Sequence, residues 1–305
     1  SNGNLAVFWN EYRTDYKYSL KAQMFDTGGN ALLSNPYSIA SNMIAIAINS
    51  VTTLSNGNLA IFWNERGADY KYSLKAQMFD VGGNALLSSP YRIANTMNNA
   101  SISNVTTLSN GNLAVFWQEQ GADSKYSLKA QMFDTGGNAL LSNPYSLSNN
   151  INSASINSVT TLSNGNLAIF WNEYGADYKY SLKAQMFDSG GNALLSNPYS
   201  IANNMGSVSI DKVTTLSNGN LAVFWNEYRA DSKNSLKAQV FDSAGNALFS
   251  NPYSIANTTN LAFINNVTTL SNGSLSVFWR EYGTDYKYSL KSQVLGSSGK
   301  GMTFD

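Results

Sequence analysis

Apolar and polar positions along this chain come round in a fixed order. The order is plainest at Val51-Thr-Thr-Leu-Ser-Asn-Gly-Asn-Leu-Ala-Ile-Phe-Trp63: a strand-like run, a tight polar turn and a second, strongly apolar run. The Ser-Asn-Gly turn starts at Ser1, Ser55, Ser109, Ser163, Ser217 and Ser271, 54 residues apart each time and without insertion or deletion. Six copies in phase identify a repeat protein. In the first copy, Leu5-Ala-Val-Phe-Trp9 is apolar throughout and follows a Gly turn, which predicts a strand buried on both faces. Asn10–Lys17 is polar and aromatic and reads as a loop with frayed strand ends. Tyr18–Phe25 alternates, placing Tyr18, Leu20, Ala22 and Met24 on one face. Asp26-Thr-Gly-Gly-Asn30 predicts a hairpin turn, because Gly supplies the positive φ that such turns need. Ala31–Leu33 and Tyr37–Ala40 predict a fourth, irregular strand. Pro36 cannot donate to a ladder, so that strand belongs at a sheet edge. Ser41–Ile46, the least uniform segment, is expected to cross to the next Val-Thr-Thr-Leu strand. No helix is indicated.

Four antiparallel strands per repeat, joined by short hairpins and one longer crossing, describe a blade of a β-propeller. Val-Thr-Thr-Leu would lie innermost, followed outward by the Phe-Trp strand, the Lys-Ala-Gln strand and the Pro-bearing edge strand. A β-solenoid is the rival, but its coils are usually shorter and its strands parallel. The expectation is an all-β, six-bladed β-propeller built from 54-residue four-stranded repeats, with residues 1–305 forming one domain because no linker interrupts the phase. Six Phe-Trp strands stand against only five Val-Thr-Thr-Leu strands, at Val51, Val105, Val159, Val213 and Val267. The first blade should therefore lack its inner strand, and the last edge strand, over Lys300–Asp305, looks decayed, so the seam blade is incomplete. A chain that starts mid-repeat is expected to be a fragment or processed piece of a larger polypeptide.

Composition narrows the chemistry. The 19 basic and 19 acidic residues cancel, and most of them belong to the repeat. No basic stripe appears, so neither nucleic acid nor an anionic membrane is expected as partner. There is no cysteine, which excludes disulfides and thiolate chemistry, and no histidine, which removes the commonest general base and transition-metal ligand. No run of apolar residues is long enough to span a membrane as a helix, and no membrane insertion is expected.

Leu20-Lys-Ala-Gln-Met-Phe-Asp26 followed by Gly29-Asn30 resembles a pattern in tandem repeats of large secreted or surface-attached bacterial proteins, including adhesins and toxins of the calcium-binding repeat type. Their similar segment, Tyr-Ala-Gln-Arg-Phe-Asp-x-x-Gly-Asn, also follows a strand ending in Trp. This chain departs from it in having Met24 where Arg is usual, and Pro36-Tyr37 in place of an acidic-aromatic pair. The overall plan is similar to that of WD-repeat propellers without the Trp-Asp signature. What the resemblance implies is an extracellular or cell-surface adhesive or scaffolding role.

Several residue sets recur in most or all copies. Trp9 and its equivalents Trp63, Trp117, Trp171, Trp225 and Trp279 could stack on sugar rings, but ending the most apolar strand they are expected to pack between blades. Glu11, Asp15 and Asp26 could be paired as acid and base, as in glycosidases. Such pairs need unlike environments, which near-identical blades do not offer. Cross-strand pairing of Glu11 with Lys21 or Lys17, and turn stabilisation by Asp26, are the preferred readings. Asp26-Thr-Gly-Gly-Asn30 offers two oxygen donors, yet lacks the alternating ligands of a calcium loop, so no metal and no cofactor is expected.

The stronger lead is geometric. In the proposed strand order, the loop after Trp and the inter-blade crossing project from one end of the blades, and the two Gly turns from the other. Loops on a rigid scaffold are where binding usually resides. The candidate ligand-binding residues at that end are Glu11, Tyr12, Asp15 and Tyr16, then Glu65, Asp69 and Tyr70, then Glu119 and Asp123. In the second half they are Glu173, Tyr174, Asp177 and Tyr178, then Glu227, Tyr228 and Asp231, then Glu281, Tyr282, Asp285 and Tyr286. The expected function is a multivalent, lectin-like or adhesive module without enzymatic activity, engaging a glycan or a protein surface. A structural spacer or docking scaffold, and a glycosidase-type enzyme with a unique acidic cluster in its central channel, are the alternatives.

Overall fold

A computed structural model describes residues 3–96, 98–228, 234–258, 261–283, 287–296 and 301–302. Every element among them is a strand or a turn. Blade 1 consists of β1 (Leu5–Tyr12), β2 (Tyr18–Phe25) and β3 (Tyr37–Met43), hydrogen-bonded in that order. Blade 2 consists of β4 (Ala45–Thr53), β5 (Leu59–Arg66), β6 (Tyr72–Phe79) and β7 (Tyr91–Thr96), again paired in chain order and antiparallel throughout. Blades 3 to 6 repeat this plan, with inner strands at Ala100–Thr107, Ser153–Thr161, Ser207–Thr215 and Ala262–Thr269. The protein is an all-β propeller of six blades, and among the described residues blade 1 has three strands where the others have four. Among the described residues the outermost strand of blade 6 is Gly301–Met302; the rest of the terminal segment read as decayed lies outside them.

The inter-blade crossing is shorter than expected. Only Ile44 separates β3 from β4, and the inner strand takes in most of the segment read as a crossing. The cause is pairing with β5: Ile46 and Ile48 lie opposite Glu65 and Trp63, which extends the ladder well beyond Val51-Thr-Thr53. Each inner strand carries a bulge at one repeat position, between Ile48 and Ser50 in blade 2 and between Ile210 and Lys212 in blade 5. Leu54 lies outside the strand and closes the turn, donating its N–H to Asn58 and accepting from Gly57. Ala31–Leu33 is likewise no strand: Ala31 makes one isolated bridge to Phe25, and the edge strand begins after Pro36.

The chain divides into two compact units, Ser1–Asn150 and Ile151–Asp305. In the first, alternation in β5 sends neighbouring residues to opposite sides. Ala60 and Phe62 join Leu74, Ala76 and Met78 against Leu113, Val115, Trp117 and Phe133 of blade 3. Ile61, Trp63 and Phe79 instead pack on Leu20, Ala22 and Met24 of blade 1. The second unit uses the same scheme, with Ala168, Phe170 and Met186 against Leu221, Val223 and Trp225. A strand covered on both faces must be apolar at every position, which is why the Phe-Trp run does not alternate. Trp63, Trp117 and Trp225 thus sit between blades, as expected. Polar bonds cross the same gaps: Asn10 Nδ2 donates to Ile46 O at 3.2 Å, Asn64 Nδ2 to Ala100 O at 2.6 Å, and Asn226 Nδ2 to Ala262 O at 2.6 Å.

The Gly turns are held by carboxylates. Asp80 Oδ1 accepts the N–H groups of Gly82 and Asn84, and its Oδ2 accepts Asn84 Nδ2. Asp26, Asp134, Asp188 and Asp242 do the same in their blades. Bonds from the Asn30 side chain and N–H hold the Asp26 carboxyl below its ordinary range. In the other four, partial burial pushes upward and is outweighed by the same kind of bonds.

Two measurements test this account. A carboxylate depressed on folding stabilises above its unfolded pKa of 3.8, and that stability is lost as pH falls through the lower folded value. The melting temperature should therefore drop on acidification below about 3.8, and a variant with Asn at all five positions should show a flatter acid limb. Leu20 and Leu290 share one repeat position but are 0% and 71% exposed. Leu20→Ala should cost ~2–5 kcal/mol in denaturant unfolding and Leu290→Ala less than ~0.5.

Candidate functional site

The two ends of each blade solve the same turn problem with different residues. At the Gly end the left-handed position is glycine, as at Gly29 and Gly57, with φ of 82° and 85°. At the other end the loop from β1 to β2 closes by Tyr16 N–H to Arg13 O and Arg13 N–H to Lys17 O. Its left-handed residue is a tyrosine: Tyr16, Tyr70 and Tyr178 have φ of 60°, 60° and 62°, and Ser124 occupies the position in blade 3. A bulky residue there is strained by its Cβ, by an order of ~1 kcal/mol. These three rings are also the most exposed tyrosines of their loops, at 78%, 63% and 72%. The aspartate preceding each tyrosine shapes the loop: Asp69, Asp123 and Asp177 each accept the N–H two residues on, and Asp15 lies 3.7 Å from Arg13.

Around each tip the structure assembles an aromatic group. Tyr12 lies 6.4 Å from Tyr16 and 4.7 Å from Tyr18, and Tyr174 lies 6.1 Å from Tyr178 and 4.7 Å from Tyr180. In blade 2, Arg66 takes the place of Tyr12 and sits over both Tyr70 and Tyr72, at 5.1 and 5.3 Å. Tyr282 packs on Tyr288 at 4.9 Å. Blades 3 and 5 are poorer: Gln120 donates to the carbonyl of Ser124, and Tyr228 faces Asn234 across the strand pair. Tyr18, Tyr72, Tyr180 and Tyr288 were not among the sequence candidates. The signal was the five-residue hairpin, which makes Tyr12 and Tyr18 the last register pair of β1 and β2. Segments next to the inter-blade turn brace these loops, through Arg13 to Asn42, Asn98 Nδ2 to Gly121 O and Asn152 Nδ2 to Gly175 O. Asp231, Asp285 and Tyr286 lie outside the described residues.

The glutamates sit elsewhere. Glu65 is buried, accepting Trp63 Nε1–H at 2.8 Å and pairing with Lys75 at 2.6 Å. Glu119 and Glu281 are bound by Trp and Lys in the same way. Glu173 pairs with Lys183, Glu227 accepts Trp225 Nε1–H, and Glu11 pairs with Lys21 at 2.9 Å. The Glu281 carboxyl feels opposing burial, but bonds from Lys291 and Trp279 hold it below its ordinary value. These carboxylates lock the Trp and Lys of adjoining strands rather than joining the tyrosine tips. In the second unit, Asn203, Met205, Glu227, Lys237, Asn251 and Pro252 help line a cleft of about 280 Å³ between blades 4 and 5.

One charge breaks the repeat. Among the five inner strands Asp211, at the bulge of blade 5, is the single carboxylate, and Lys212 the single cation. Burial raises the Asp211 carboxyl to about 6, against a weak bond from Ile264 N–H. Among the described residues no group of three His, Cys, Asp or Glu side chains is placed to hold a metal ion.

No family model and no curated protein matches this sequence. Solved structures do. A Hadza microbial sialidase shares 10% identity, with 92% of this chain and 64% of that chain covered and a TM-score of 0.41. An ulvan lyase, a polysaccharide lyase, shares 10% over 98% of this chain and 78% of its own, with a TM-score of 0.42. The β-propeller domain of the trilobed protease of Pyrococcus furiosus shares 8% over 96% and 79%, with a TM-score of 0.41. The expectation that this chain is no enzyme is corrected on this finding, since the propellers it is similar to include a sialidase and a lyase.

Asp211 supplies a test of the inner-strand electrostatics. A carboxyl raised on folding is at no disadvantage below its unfolded pKa, and stability falls as pH rises through the folded value near 6. Asp211→Asn, the residue found at the equivalent Asn49, Asn157 and Asn265, should raise stability at pH 8 by up to ~3 kcal/mol and leave it unchanged at pH 3.

Proposed function

We propose that this propeller recognises glycans multivalently, through the tyrosine-tipped loops that end its Phe-Trp strands. The observation that carries the reading is the left-handed backbone of Tyr16, Tyr70 and Tyr178. The opposite turns of the same blades use glycine at this conformation, so the fold has a less strained residue for the task. Tyrosine there holds an exposed ring outward at a cost in stability, and strain of this kind concentrates at functional sites. Neighbouring Tyr12, Tyr18, Tyr174 and Tyr180 widen each ring into an aromatic surface edged by Asp15 and Asp177 hydroxyl-binding carboxylates. Flat aromatic faces with nearby acceptors suit the apolar face and hydroxyls of a pyranose. Equivalent sites on several blades make modest affinities add through effective concentration, by about a hundredfold or more where target spacing permits. The same reading places the chain outside the cell or on its surface, where repetitive glycans are found.

The test separates binding from folding. Tyr16→Gly, Tyr70→Gly and Tyr178→Gly together relieve the backbone, so the melting temperature should hold or rise. Binding to hits from a glycan array should fall at least tenfold in calorimetric titration. Undiminished glycan binding by the triple variant would remove these loops from the reading. A wild-type chain that binds nothing on a broad panel would turn it towards a protein surface as ligand.

A further inference from the structure

Blade 2 carries a small pocket that its tyrosine tip does not account for. It measures about 160 Å³, and its lining includes Ala45 and Ala47 of β4, Asn64 and Arg66 of β5 and Tyr72 of β6. Strand register puts these five side chains on one face: Ala45 lies opposite Arg66, Ala47 opposite Asn64, and Arg66 opposite Tyr72. Phe62 and Leu74 on the same face pack on blade 3, a complete four-stranded sheet. The volume is below the ~300–1,000 Å³ that houses a whole small-molecule ligand, so the pocket fits a single substituent. Arg66 and Tyr72 also form the aromatic group with Tyr70, so tip and pocket share a wall.

One polar atom of this lining has no partner. Asn64 Nδ2 donates to Ala100 O of blade 3 at 2.6 Å, which fixes the amide, because Oδ1 can only accept and cannot face a carbonyl oxygen. Asn64 Oδ1 is buried and, among the described residues, receives no hydrogen bond. Buried acceptors in that state are rare, and this one calls for a donor. The adjoining wall is apolar. Alanine stands at both positions 45 and 47 in blade 2 alone, against Ser153 and Ser155 in blade 4 and Ser207 and Ser209 in blade 5. Asn172 of blade 4 repeats the unpartnered oxygen without the alanines.

Building on the reading of the tips as glycan sites, we propose that this pocket selects an N-acetylated amino sugar by holding its acetamido group. The acetamido N–H donates to Asn64 Oδ1, its methyl group lies against Ala45 and Ala47, and the pyranose ring packs at Tyr70 and Tyr72. An acetamido group is the compact substituent that joins one donor to one methyl. A hydroxyl in its place would donate but leave the alanines uncovered. An ammonium would stand beside the Arg66 guanidinium and be repelled. Because the alanine pair occurs once, each chain has one such site.

The experiment titrates the full chain with three β-1,4-linked trisaccharides that differ only at C2: those of N-acetylglucosamine, glucose and glucosamine. Calorimetry should show the acetylated trimer binding about tenfold or more tightly than the other two, at one site per chain. Ala47 is exposed, so Ala47→Leu should fill the pocket without disturbing the fold. That variant should keep its melting temperature and lose the preference for the acetylated trimer. Equal binding of all three by the wild-type chain overturns the proposal and leaves the tip reading standing. A preference that survives Ala47→Leu also overturns it. If no trimer binds, the proposal fails, and the tip reading falls with it only where a broad glycan panel is blank as well.

Discussion

Each blade of this protein is stable only against a neighbour, and most of its sequence follows from that dependence. A four-stranded sheet with water on both faces could not keep Phe62 and Trp63 side by side in one strand. Here the first faces blade 3 and the second blade 1, and both are fully buried. Burying side chains of this size contributes roughly 1.5–3 kcal/mol each, and the interfaces of blade 2 with blades 1 and 3 each contain several. The polar residues of these strands serve the same interfaces. Gln77 donates to Leu87 O and accepts from Met78 N–H, so a fully buried amide fixes the start of the outer segment. Asn64 reaches a carbonyl of the next inner strand. Glu65 joins a buried Trp to a Lys, and removal of Lys75 would leave a buried carboxylate without its counter-charge.

Repetition of these interfaces leaves little freedom in the strands and considerable freedom at the loops. The Gly end is conserved from blade to blade within this chain, because Asp80 and its counterparts bind the turn backbone directly and glycine meets the required φ without strain. At the other end the described tips of blades 1 to 4 share one backbone, with tyrosine at the left-handed position in three of them and Ser124 in blade 3. Position 12 and its equivalents vary among tyrosine, arginine and glutamine, and in blade 2 Arg66 stacks on two rings where blade 1 has Tyr12 against Tyr16 and Tyr18. The blades are therefore not equivalent as surfaces. Blades 1, 2 and 4 carry full clusters, and blade 3 substitutes Gln120 and Ser124.

The departures from repetition are as informative as the repeats. Asp211 introduces one carboxylate into a set of inner strands that is otherwise acid-free, at a bulge where the other blades have Asn or Ser. Blade 6 exposes Leu290 where the other blades bury a leucine completely. At Asp211 the residue itself departs from the repeat, whereas Leu290 is the residue of the repeat in different surroundings.

Much of the fold was legible before any coordinates. The 54-residue phase, the Gly turns, the strand order and the missing inner strand of blade 1 are local or counting properties, and a periodic pattern states them directly. Cross-strand spacing narrowed the partner of Glu11 to Lys21 or Lys17, and the register of β1 and β2 selects Lys21. The length of the inner strand did not, because the variable segment around Ile44 has no alternation strong enough to mark a strand until β5 supplies its register. Nor could the sequence separate the glutamates from the tyrosines of the candidate site. They are near neighbours along the chain, yet pleating turns Glu65 inward to Trp63 and Lys75 while the hairpin tip carries Tyr70 out. The left-handed φ of Tyr16, Tyr70 and Tyr178 was equally hidden, since tyrosine ordinarily avoids it and only closure of the hairpin imposes it. Sequence determined the repeat and its core because burial acts on every copy alike; tertiary structure decided the site because loop backbone and inter-blade packing select which polar side chains reach water.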